Sequence, residues 1–145
     1  MIRRIGQPPH KERRYTVRPG AYAILPMGRD VLLTAQTGDE VDIQLPGGGI
    51  DPGESAIQAL HREVMEETGW RISNPRRLGA FRRFVFMPEY DLWAEKICHV
   101  FSARPAYQIC APIEPDHMVL SIPQSAAADL LGNDGDALFL RAFFS

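Results

Sequence analysis

The chain has 145 residues, with 16 Lys and Arg against 18 Asp and Glu, a formal net charge of −2, and 45% hydrophobic and 23% charged residues. This is the balance of one ordinary folded domain spanning 1–145. Its longest apolar run, Ala21 to Leu25, falls far short of the ~20 residues that cross a bilayer, and no apolar core follows Arg3 and Arg4 as it would in a secretory signal. The slight acidity argues against a nucleic-acid partner, whose footprint is a basic excess. Cys98 and Cys110 form neither a disulfide framework nor a zinc spacing, and are read as reduced thiols in a cytoplasmic protein.

Residues 1–14, polar and basic around Pro8-Pro9, read as a flexible or edge N-terminal arm. Ala21 to Leu25 and Val31 to Ala35 are short apolar runs around Pro26-Met27-Gly28-Arg29-Asp30, a hairpin signal. Val41 to Leu45 alternates before Pro46-Gly47-Gly48-Gly49, a loop whose glycines can expose peptide groups to a ligand. Ser55 and Gln58 form a capping box that opens a helix, and Gly69 stops it. Strands follow over 76–86 and 92–103, joined by Met87 to Asp91, then a helix over 123–131 and a further one over 134–144. This order predicts an α/β fold, a mixed sheet with helices packed on it.

At about 100° per residue, Ile57, Leu60, Val64 and Thr68 form one stripe facing the sheet. Glu63, Glu66 and Glu67 share an adjacent arc of about 100°. Like charges at these spacings repel, and the C-terminal end of a helix disfavours anions. A divalent cation held by clustered carboxylates removes that repulsion. The alternative is a solvated acidic face, since Glu is a good helix former.

Gly48, five residues, Glu54, seven residues, then Arg62-Glu63-Val64-Met65-Glu66-Glu67-Thr68-Gly69-Trp70 resembles the signature of the Nudix hydrolases (the MutT-like superfamily) over residues 48–70. Trp70 stands where that family usually has an aliphatic residue. The resemblance implies a single Nudix domain, a mixed sheet between helices in an α/β/α sandwich. It implies hydrolysis of a pyrophosphate in a nucleoside diphosphate linked to a moiety X, with Mg²⁺ or Mn²⁺ as cofactor. Carried over by position, Glu63, Glu66, Glu67 and the Gly48 carbonyl become metal ligands, and Arg62 and Glu54 a supporting ion pair. Glu66 or Glu63 is the first choice for the base, Glu114 the second, and His117 a more distant one. Glutamine at Glu66 or Glu67 should lower turnover at least ~100-fold with folding nearly unchanged.

Arg18, Arg82, Arg83 and Lys96 are candidate phosphate partners, and Tyr22, Phe84, Tyr90 and Trp93 candidate stacking surfaces for a base. Phe81, Phe84, Phe86, Phe101, Phe139, Phe143 and Phe144 are assigned to packing. The secondary signatures of the family do not fix X: Pro88 lies 19 residues after Gly69 and Tyr90 lies 21 after it, neither at the family's spacing. Leu32-Leu33-Thr34-Ala35-Gln36 matches only the start of the coenzyme A pattern. A dNTP, an oxidised nucleotide or a nucleotide sugar is the expected small-molecule substrate. The family's frequent dimerisation implies a homodimer. A non-catalytic nucleotide sensor is the alternative, though it would usually have lost motif glutamates; a structural Ca²⁺ site leaves the glycine loop unexplained.

Overall fold

The structure is a computed structural model that describes residues 1–38 and 40–145. The N-terminal arm is an edge element: β1 (Arg3–Arg4) lies parallel to β6 (Trp70–Met87). β2 (Thr16–Met27) and β3 (Asp30–Gln36) form the expected hairpin, and Met27 pairs Asp30 across a turn in which Gly28 has φ 60°. β4 (Asp42–Gln44) pairs β3, whereas the glycine run is itself a strand, β5 (Gly47–Gly49), antiparallel to β2. Gly47 meets Ala21 and Tyr22 so closely that no Cβ fits there. These glycines serve close backbone pairing, not a free loop.

The helix α1 (Ala56–Thr68) begins and ends where its caps predict. Gly69 turns the chain directly into β6, so that strand starts at Trp70, six residues before the expected boundary. β6 pairs antiparallel with β7 (Leu92–Gln108) through a short 3₁₀ turn (Pro88–Tyr90), and β7 runs parallel to β2. A strand absent from the sequence reading, β8 (His117–Pro123), pairs the whole of β3. α2 (Gln124–Leu130) and α3 (Asp134–Phe144) follow.

Parallel and antiparallel pairs mix in a sheet whose main path runs β1-β6-β7-β2-β3-β4, and its two faces carry separate cores. Ala59, Leu60 and Val64 of α1 pack on Ala21, Ala23, Leu25 and Phe101; Ala127 of α2 and Leu140 of α3 pack on Tyr22, Ile24, Phe81 and Val100. This is the α/β/α sandwich. Ile57 departs from its predicted role: it is 45% exposed, and Ala56 packs against the core in its place. Phe86 and Phe143 also keep more than a third of their surface in solvent. Cys98 is buried and Cys110 exposed, both free thiols.

Candidate active site

Each end of α1 is built from local chemistry. The Ser55 hydroxyl accepts from the Gln58 N–H at 3.1 Å, and the Gln58 side chain accepts from the Ser55 N–H at 2.8 Å. At the other end the Thr68 hydroxyl donates to the Val64 carbonyl (2.6 Å) and accepts from the Trp70 N–H (3.1 Å). Gly69, at φ 74°, donates to the Met65 carbonyl, the left-handed stop that glycine makes without strain. The Glu66 carbonyl accepts from the Ile113 and Glu114 N–H groups, which ties the loop before β8 to the end of the helix.

That tie closes one wall of a cleft of about 780 Å³, lined by Gly48, Glu63, Glu67, Glu114 and His117 and also by Arg18, Tyr22 and Lys96. Glu67 is 6% exposed. Its Oε1 accepts from the Gly47 N–H at 3.0 Å, and its Oε2 stands 3.1 Å from His117 Nε2. The hydrogen bond to Glu67 raises His117 above the ordinary histidine range against the opposing effect of burial, and its Nδ1 is buried with no hydrogen-bond partner among the described residues. Arg62 binds Glu54 at 2.8 Å, Glu63 at 3.0 Å, Asp51 and Glu66 at 3.4 Å, and donates to the Gly49 carbonyl. One guanidinium thus clamps the loop before the helix onto the carboxylate face. Its hydrogen bond pulls Glu54 down to about 2.

Glu63 responds differently. Burial pushes it up to about 7, Arg62 opposes this, and the charges of Glu67 and Glu66 add to it. A Cβ at residue 48 would collide with the Glu63 carboxylate, so only glycine lets the strand carry its peptide group this close to the acid. With Arg62 between Glu63 and Glu66 and with Glu67 turned to Gly47 and His117, no three His, Cys, Asp or Glu side chains among the described residues are gathered to hold an ion as they stand. The donor set is nonetheless that of a hard divalent cation: carboxylate oxygens beside a glycine backbone.

Of the sequence candidates, Glu63, Glu67, Gly48, Glu114, Arg18 and Lys96 line this cleft. Glu66 pairs with Arg62 at 3.4 Å and does not line the cleft. Arg83 lines a smaller lobe of about 270 Å³ that shares Lys96 with the cleft. Arg82, one residue away and hence on the other face of β6, pairs with Glu95 at 3.2 Å and lines neither space. Tyr22 and Tyr90 border the cleft, whereas Trp93 and Phe84 pack around Tyr15. The holds on Glu67 by Gly47 and His117 are not legible in the sequence, because those partners lie 20 and 50 positions away.

A helix–sheet–helix sandwich with carboxylates from one helix facing a glycine strand defines the class of domain. The NUDIX domain profile matches residues 15–142, and the chain belongs to that family. It is 36% identical over 74 residues to the "Putative 8-oxo-dGTP diphosphatase" of Bacillus subtilis (strain 168), a stretch covering 51% of this chain and 50% of that protein. It is 50% identical over 42 residues to the RNA pyrophosphohydrolase of Pectobacterium carotovorum subsp. carotovorum (strain PC1), covering 29% of this chain and 24% of that one. The matched stretches thus span half or less of these relatives. A NUDIX hydrolase from Nitrosomonas europaea superposes with a TM-score of 0.73 at 18% identity, covering 89% of each chain. A MutT protein from Bacillus halodurans does so at 0.71 and 23%, covering 86% of this chain and 80% of that one. These two likenesses establish the fold.

Proposed function

We propose that this chain, as a single domain, is a pyrophosphohydrolase that cleaves a nucleoside diphosphate linked to X, with Mg²⁺ or Mn²⁺ bound by Glu63, Glu66, Glu67 and the Gly48 carbonyl. The observation that carries this reading is that Glu63 and Glu67 of one helix line a single cleft beside a residue-48 backbone that has no side chain. Bound there, the cation supplies neutralisation of phosphate charge and a water more easily deprotonated.

The chain's own residues do the rest. Arg62 and Glu54 hold the loop at residues 49–54 against α1. Gly47 and His117 fix the Glu67 carboxylate. Glu66 or Glu63 accepts the proton of the attacking water or orients that water, and Glu114, carried to the cleft by the Glu66 carbonyl, is the second choice. Arg18 and Lys96, which line the same cleft, attract the phosphates. The substrate is a small nucleotide: a dNTP, an oxidised nucleotide or a nucleotide sugar. The name of the Bacillus subtilis relative supports the oxidised nucleotide among these. No helix of the described residues is long and apolar enough to cross a membrane; we place the enzyme in the cytoplasm, as a homodimer.

The test is a screen of dNTPs, 8-oxo-dGTP, nucleotide sugars, ADP-ribose and dinucleoside polyphosphates with millimolar Mg²⁺, with Glu66→Gln as the blank. Turnover that disappears in the blank and under chelator is the expected result. Tight nucleotide binding with no turnover would instead make the domain a sensor.

A further inference from the structure

Strand register aligns three cations that are scattered in the sequence. Arg18 of β2 is the cross-strand partner of Lys96 of β7, and Lys96 is the partner of Arg83 of β6. Register partners project to the same face, so the three side chains form one row across adjacent strands, spanning about 10 Å at the usual strand spacing. The row lies one step beyond the row of Gly20, Cys98 and Phe81, of which Cys98 and Phe81 belong to the buried core. Arg18 lines the main cleft, Arg83 the smaller lobe, and Lys96 both.

Like charges directly opposite one another destabilise a sheet. Among the described residues none of the three has an ion-pair or hydrogen-bond partner. Two rest on aromatic faces instead: the Arg18 guanidinium lies 4.4 Å from the Tyr90 ring centre, and the Lys96 ammonium 5.6 Å from that of Tyr22. A ring face steadies a cation without using its N–H donors, which stay available to a ligand. Burial lowers the Lys96 ammonium from its ordinary value. The buried Asp136 carboxylate acts on both Arg83 and Lys96, but its Oδ2 accepts from the Leu45 N–H, and Glu89 acts on Lys96 as well. Glu40, Asp42 and Glu89 stand exposed around the smaller lobe, where solvent screens them and where they repel an anion that does not reach the row.

From this alignment we infer that Arg18, Lys96 and Arg83 form an anion subsite for a linear phosphate chain, so that the preferred X carries phosphate charge of its own and is not a neutral sugar. The inference rests on the pyrophosphohydrolase reading for its place in catalysis, but the subsite itself is measurable without turnover.

Calorimetric titration of the metal-free protein with inorganic tripolyphosphate and with orthophosphate tests it. Tripolyphosphate should bind at least about tenfold tighter than orthophosphate, and Arg83→Gln and Lys96→Gln should each weaken it by about tenfold. Arg141→Gln, which removes an exposed arginine of α3 paired to Asp129 of α2, serves as the charge-matched control. Thermal melts of each variant verify folding. In kinetics with Mg²⁺, the kcat/KM ratio of a nucleoside triphosphate over a nucleoside diphosphate sugar should fall about tenfold in Arg83→Gln. Tripolyphosphate affinity equal in the row variants and the control overturns the subsite, even if the enzyme hydrolyses nucleotides. Row-dependent tripolyphosphate binding without hydrolysis of any nucleotide upholds the subsite and overturns the enzymatic reading.

Discussion

Glu66 and Glu67 are neighbours in the chain, yet their surroundings differ, and so should their variants. Glu66 is part-exposed, and Arg62 touches it only at 3.4 Å. Glu66→Gln should lower kcat at least ~100-fold, about 2.7 kcal/mol of transition-state stabilisation, with a melting curve close to wild type. Glu67 is buried between the Gly47 N–H and His117. Glutamine there keeps one acceptor and turns an amide N–H toward one of two donors. Glu67→Gln should therefore lose the same activity and also about 1–3 kcal/mol of stability, measured by urea unfolding. The sequence suggests equal, nearly silent effects on folding; the structure separates the two. Near-wild-type turnover in both variants would remove these carboxylates from the mechanism.

α1 is the element most legible from sequence, because everything that starts and stops it is local. Ser55→Ala should cost about 1 kcal/mol in denaturant unfolding. Gly69→Ala should cost about 1–2 kcal/mol for the left-handed backbone alone, and more because its Cβ would strike the Cys110 carbonyl. Gly48→Ala tests space, not backbone angle. Its methyl displaces the Glu63 carboxylate, so hydrolysis should fall by more than about tenfold while the circular dichroism spectrum stays the same. Full activity in that variant would mean that Glu63 does not need its close approach to the glycine strand. β8 was illegible for the opposite reason. His117 to Pro123 shows only weak alternation, and its partner strand β3 lies more than 80 residues earlier. Ile57 failed as a core residue because the helix wheel fixes an arc, whereas the sheet decides where contact along that arc begins.

Across the molecule, Asp136 links the far helix layer to the site. It is buried at the start of α3, its N–H donates to Asn133 Oδ1, and its carboxylate accepts from the Leu45 N–H. Burial raises its carboxyl above the ordinary aspartate range. Between the ordinary value of about 4 and the raised one, the folded chain holds a proton that the unfolded chain has released. Stability from this group is thus greatest at low pH and declines as pH rises through that window. Asp136→Asn, whose amide oxygen can still accept from Leu45, should flatten that part of the profile. Tm measured from pH 4 to 8 checks this, and identical slopes in variant and wild type would count against it.

The sequence by itself determined the helix with its caps, the three glutamates on one arc and the hairpin at Gly28. Each is a matter of spacing within a turn or two of chain, and the residue types alone carry that information. Only the tertiary structure decided that Gly47 and His117 hold Glu67, that Arg82 faces away while Arg83 faces in, and that Arg18, Lys96 and Arg83 share one row. Those relations depend on which strands pair and in which register, and a shift of one residue would send every side chain of a strand to the other face. Register is set by two cores packing on opposite faces of one sheet at once, a condition that no local stretch of sequence encodes.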